Sequence, residues 1–193
     1  MWVRLPRQPM GVEDTQDEMR EADRELLRAV TSDPEGVDLD EVWDRLAADD
    51  AEQRSVGARA LSNLAQEAPA TLVEDTDRLV DLLDHDDEDV RQGAIMAVRE
   101  LVAAEVDAFD EPPVDALVQR LGREGQQGSK LVAETLTDLL GADDPRLDDA
   151  VDRLVGLLED DPEAAGSAIQ GLTVLADAFP DRVVDALRPR LAD

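Results

Sequence analysis

The chain has 193 residues, with 48 Asp and Glu against 19 Lys and Arg, a formal net charge of -29. With no Cys and one His, it can hold no disulfide framework, no Cys-based zinc site and no thiol nucleophile. Its average field repels polyanions, which argues against nucleic acid and anionic membrane surfaces as ligands. Hydrophobic residues make up 42% but aromatics only 2%, so a core must be built from Leu, Val and Ala. Their periodic placement separates the chain from acidic disorder.

In chain order, residues 1–12 read as a flexible arm. Up to Gly11 it carries Trp2, Arg4, Arg7 and two prolines but no acid. Residues 13–38 read as a capping helix and loop. Glu13 to Val30 places Met19, Ala22, Leu26, Leu27 and Val30 on one apolar side, and Thr31 to Asp38 connects. Residues 39–180 are the body of the chain, and 181–193 are a closing helix with Val183, Leu187 and Leu191. No segment approaches the ~20 apolar residues of a membrane helix. No apolar run follows Arg4 and Arg7, so a secretory signal is not expected and a cytoplasmic location is.

The body repeats itself. Leu46, Leu83, Leu121 and Leu157 form one column, Leu61, Val98, Leu136 and Leu172 a second, and Leu64, Leu101, Leu139 and Leu175 a third. Each of the four units reads as two helices. In the second unit, Thr71 to Leu83 is the first helix and Asp84 to Asp87 a polar turn. Glu88 to Ala104 then puts Val90, Ala94, Ala97, Val98 and Leu101 on one face. Asp144-Pro145 and Asp161-Pro162 resemble an N-cap followed by proline at the first helical position. Pro69, Pro112-Pro113 and Pro180 mark passages between units. One hairpin has too little apolar face to stand alone, so neighbours must stack.

The stretch from Leu79 to Leu101, with Asp86, Val90, Arg91, Ala94, Ala97 and Val98 at their spacings, resembles a HEAT repeat. It is most similar to the short HEAT-like type first named for phycobilisome lyases. The resemblance implies an all-α fold, a right-handed alpha-alpha superhelix of the HEAT/armadillo kind with the second helices lining the concave side. It also implies that the motif arginines, Arg91 and Arg54, pair with acids near the preceding turn, for which Asp86 and Asp49 are the matches. The third and fourth units have Ser129 and Gly166 in place of the arginine, so the later stack is expected to rest on small-residue packing through Ala133, Ala168 and Gly171.

The charges are of particular kinds: 31 Asp and 17 Glu, 18 Arg and the single Lys130. Short carboxylates hold water and cations, and Arg pairs with them in a forked geometry that Lys cannot match. At molar salt the Debye length is roughly 3 Å, which screens their repulsion. The composition resembles cytoplasmic proteins of haloarchaea.

Catalytic constellations are missing. His85, in an Asp-rich turn, lacks the ligand ladder of an oxygen-donor cation site and reads as a solvated turn residue. Gly122, Gly125 and Gly128 lack the Lys-Ser/Thr ending of a phosphate loop. Carboxylate pairs such as Asp143 and Asp144 fall at turns, where they cap helices. The expectation is a non-enzyme with no cofactor and no metal.

One pattern points to function. Opposite the apolar face of the second helices stand Ser55, Arg59, Ser62 and Gln66; Gln92, Met96, Arg99 and Ala103; Lys130, Glu134, Thr137 and Gly141; and Gly166, Gln170, Thr173 and Asp177. Only two of these sixteen positions are acidic, in a chain a quarter of whose residues are. This strip reads as a protein-docking surface, with Arg59, Gln92, Met96, Arg99, Lys130, Glu134 and Gln170 as its contact residues. The expected role is a monomeric, non-catalytic adaptor for an acidic protein partner. Two alternatives are a bilin-lyase-like enzyme accessory, which the resemblance suggests, and a nucleic-acid-associated repeat protein.

Overall fold

The computed structural model describes residues 12–104, 109 and 112–188, with side chains from residue 20 onward. The arm up to Gly11, Met19's side chain and Leu191 lie outside what it describes. Among the described residues there are ten α-helices and no strand: α1 (Val12–Ser32), α2 (Leu39–Leu46), α3 (Ala51–Glu67), α4 (Thr76–Leu82), α5 (Glu88–Ala103), α6 (Val114–Arg120), α7 (Gln126–Leu139), α8 (Arg146–Asp160), α9 (Ala165–Ala178) and α10 (Pro180–Leu187). Short 3-10 turns at Pro34–Gly36 and Pro69–Asp75 precede α2 and α4.

The hairpins follow from local chemistry. Asp38, Asp50 and Asp87 have extended backbones and accept N–H groups of Asp40, Gln53 and Asp89, which caps α2, α3 and α5. Asp144 accepts both the backbone N–H and the guanidinium of Arg146, and that pairing holds its carboxyl below the usual range. Two boundaries differ from the sequence expectation. The first helix of the second unit starts as a 3-10 turn at Pro69 and becomes α-helical only at Thr76. Asp161 takes the N–H groups of Glu163 and Ala164 in a turn, so α9 begins at Ala165 instead of at Pro162.

The helices stack in two layers. In one, α3 lies along α5 and α7 along α9, while α5 and α7 meet over a shorter stretch. In the other, α2 and α4 touch little. α1 packs on α3, and α10 on both α8 and α9. Of the three columns, Leu46, Leu83, Leu121, Leu61, Val98, Leu136, Leu172, Leu64, Leu101 and Leu175 are buried. Leu139 and Leu157 are partly buried against them. Gly93 explains the close approach of α3 and α5: a Cβ there would meet the Ala58 carbonyl oxygen at 3.0 Å and its Cα at 3.1 Å. Gly122 has φ +76°, in the left-handed region, and a Cβ would collide with Leu157.

Arginines tie one unit to the next. Arg54 donates from Nε to Asp87 Oδ2 at 2.7 Å and from Nη1 to the carbonyls of Ala48 and Asp49 at 2.9 and 2.8 Å. One unit later Arg91 repeats this: Nε and Nη2 reach Glu124 at 2.8 and 3.2 Å, and Nη1 reaches the carbonyls of His85 and Asp86 at 2.7 and 2.8 Å. The expected acid partners, Asp49 and Asp86, are thereby corrected. They contribute backbone oxygens, and the carboxylates come from the following unit, because once the terminal Nη1 has closed off the arginine's own turn, Nε is left facing the next one. Elsewhere in the stack Arg45 binds Asp23 at 3.2 Å, Arg120 binds Asp84 at 2.7 Å and Arg182 binds Asp148 at 2.6 Å.

The two motif bridges differ in depth. The Glu124 side chain is wholly buried, whereas Asp87 keeps 18% of its side chain exposed. Removing one partner of a buried pair strands the other charge. Arg91→Ala therefore costs about 3–5 kcal/mol and Arg54→Ala a fraction of that, read as urea midpoints at constant KCl. Equal losses would contradict the difference in burial.

The Arg54 hydrogen bond, assisted by N–H groups from Asp89 and Val90, lowers the Asp87 carboxyl from 3.8 against the opposing effect of burial. The folded chain is then the stronger acid, so the unfolded chain binds more protons and stability rises with pH. The contribution is complete above the unfolded value and drains as pH falls through the lowered one. Asp87→Asn should flatten the urea midpoint against pH between about pH 5 and 2, relative to the parent chain.

Candidate protein-docking surface

The strip positions lie on α3, α5, α7 and α9 and on the residues just beyond their ends. None of the sixteen is buried. Arg59 is exposed; Gln92, Met96, Arg99, Lys130, Glu134 and Gln170 are half-buried. Three of the four hydroxyls of the strip turn inward. Ser62 donates to Ala58 O at 2.9 Å, Thr137 to Glu134 O at 2.7 Å and Thr173 to Ile169 O at 2.8 Å. Such back-bonding leaves a polar but largely self-satisfied lining between the longer side chains.

Those longer side chains form two groups. Arg59, Gln92 and Met96 border a groove of roughly 300 Å³ between α3 and α5, whose floor is Ala58 and Gly93. The groove exists because the two small residues let the helices approach while the side chains above them diverge. Asp89 stands at its edge, and Gln92 is steadied by Glu88 at 3.0 Å. Further along, Glu134 lies between two cations: its carboxylate is 3.6 Å from Arg99 of α5 and 3.6 Å from Lys130. These are partly exposed pairs beyond hydrogen-bond distance, worth about 0–1 kcal/mol each. Gln170, on α9, belongs to neither group. Of the three strip cations, Arg59 alone forms no ion pair among the described residues, while Arg99 and Lys130 share one acid.

His85 sits in its turn as expected, its Nδ1 accepting the Asp87 N–H at 3.0 Å. Sequence reasoning missed a feature of the opposite layer. Trp43 is buried, the Arg78 guanidinium lies 4.2 Å from its ring centroid, and the indole N–H has no partner among the described residues. No other unit has a tryptophan at this place, and nothing in the spacing tied Trp43 to Arg78.

No helix among the described residues is long and apolar enough to cross a membrane. No family model and no curated protein matches the chain. Solved structures do. The chain is similar to three crystal structures of engineered proteins. The first has a TM-score of 0.58 at 25% identity, over 91% of this chain and 83% of the other. The second has a TM-score of 0.53 at 25% identity, over 88% and 79%. The third has a TM-score of 0.55 at 26% identity, over 87% of this chain and 47% of a longer one. The class of protein defined by fold and likeness together is an α-helical repeat protein.

Proposed function

We propose that the chain is a non-catalytic adaptor, a HEAT-like right-handed superhelix that docks an acidic protein partner on the side formed by α3, α5, α7 and α9. One observation carries this reading: sixteen unburied positions hold two acids in a chain of charge -29. The tighter approach of these four helices supports placing them on the inner side of the curve. A partner acid meets Arg59 without displacing an internal carboxylate, while Arg99 and Lys130 must first be drawn from Glu134. Few complementary charges suffice for specificity when both surfaces are otherwise negative.

The test is affinity recovery of the partner at molar KCl, with mass spectrometry to identify it. Arg59→Glu should lower recovery most among the single reversals, and reversing Arg59, Arg99 and Lys130 together should abolish it while the helical circular-dichroism signal is kept. Undiminished recovery by the triple variant would falsify the docking reading.

We further propose that the chain works in a haloarchaeal, high-salt cytoplasm, as a monomer. The Asp-rich, nearly Lys-free composition supports this. Dialysis from molar KCl to dilute buffer unscreens the carboxylates, so helical content should fall and return on adding salt. A melting curve indifferent to KCl would contradict the salt assignment and leave the docking test untouched.

A further inference from the structure

The junction between the third and fourth hairpins departs from the pattern of the first two. Where Arg54 and Arg91 stand in the first and second units, the third has Ser129. Its hydroxyl is buried, accepts the Gly122 N–H at 3.0 Å and donates to the Glu124 carbonyl at 3.3 Å. It reaches no carboxylate of the next turn. Beside it opens a cavity of roughly 600 Å³ walled on one side by Gly122, Arg123 and Arg153.

Arg153 comes from α8 and is half-buried. Its Nε and Nη2 donate to the carbonyls of Leu121 and Gln119 at 3.1 and 2.9 Å, at the C-terminal end of α6. It has no carboxylate partner among the described residues, and neither has the exposed Arg123. Burial, then the charges of Arg123 and Arg120, hold the Arg153 guanidinium below the ordinary arginine value. Arg120 is already engaged by Asp84 at 2.7 Å. Two acids of the lining are already committed: Glu124 to Arg91, and Asp161 to the N–H groups of Glu163 and Ala164. Glu163 alone is uncommitted there. In a chain with 48 acids, these two neighbouring arginines beside an open cavity pair with none among the described residues.

We propose that this junction binds an oxyanion, a phosphate or carboxylate group of a small molecule, between Arg123 and Arg153. The ligand supplies the negative charge that the next turn supplies to Arg54 and Arg91, and it bridges the third and fourth hairpins as Asp87 and Glu124 bridge the earlier ones. Forked arginine donors suit either group. The site lies at the turns, apart from the docking strip, and does not depend on it.

The test is titration of the full chain with inorganic phosphate, and separately with succinate, at fixed KCl, followed by calorimetry. Saturation by phosphate alone, by succinate alone or by both supports the site and names the group it takes. Arg123→Gln and Arg153→Gln should each weaken binding about tenfold or more, the loss of one charge-assisted bond. Glu163→Gln should tighten it, and Arg59→Gln should leave it unchanged. Because Arg153 also closes the end of α6, the exposed Arg123 is the decisive variant. If neither probe saturates, or if Arg123→Gln binds as tightly as the parent chain, the proposal fails.

Discussion

The arginine fork is the interaction on which the stack depends. A hairpin of short Leu, Val and Ala side chains buries its own apolar face but has few means of fixing the angle and register of its neighbour. Arg54 and Arg91 do that with five-donor planar groups, one edge closing the carbonyls of their own turn and the other gripping a carboxylate of the next. An ammonium is a point charge and could not hold both at once. The excess of 18 Arg over one Lys therefore has a structural cause in addition to any cause in habitat. The acids are likewise divided in task, some capping helix starts and some receiving forks, before any are left to coat the surface.

The repeat columns were legible because an apolar period of about 37 residues turns an aliphatic side chain toward the core in every unit, fully buried in all but Leu139 and Leu157. Val98 and Leu136 are buried for the same reason. That the acid-poor strip stays unburied was legible too, since helical angle alone sets the residues opposite a core face. What the sequence hid were relations between units. Arg91 could be singled out by its place in the motif, but many acids lay within plausible reach, and the chosen partner was the buried Glu124 of the next turn. The two-cation contact at Glu134 was hidden for the same reason, as it joins α5 to α7. Arg153 was invisible as a junction residue because it comes from a first helix, outside the motif column. Helix starts were misjudged where a carboxylate could cap either a helix or a free turn, as Asp161 does.

Charge on this molecule is thus organised by layer and by junction. The layer of α3, α5, α7 and α9 carries a groove over Ala58 and Gly93 and a loosely held cluster around Glu134. The turns carry the forks. Two different electrostatic textures on one fold can separate docking from stability, because a substitution at Arg59 leaves every inter-unit bridge in place.

The short meeting of α5 and α7 has a consequence for cooperativity. In a linear array, stability is the sum of unit terms and nearest-neighbour terms. Here the neighbour terms are unequal: α3–α5 and α7–α9 are long apolar seams, while the central one is shorter and is crossed by Arg91–Glu124 and Arg120–Asp84. One continuous apolar core runs through all three seams, and the ionic contacts add to it at the centre. The neighbour term with the least helix-to-helix contact of the three thus lies in the middle of the array, where a local opening would leave the two longer seams intact.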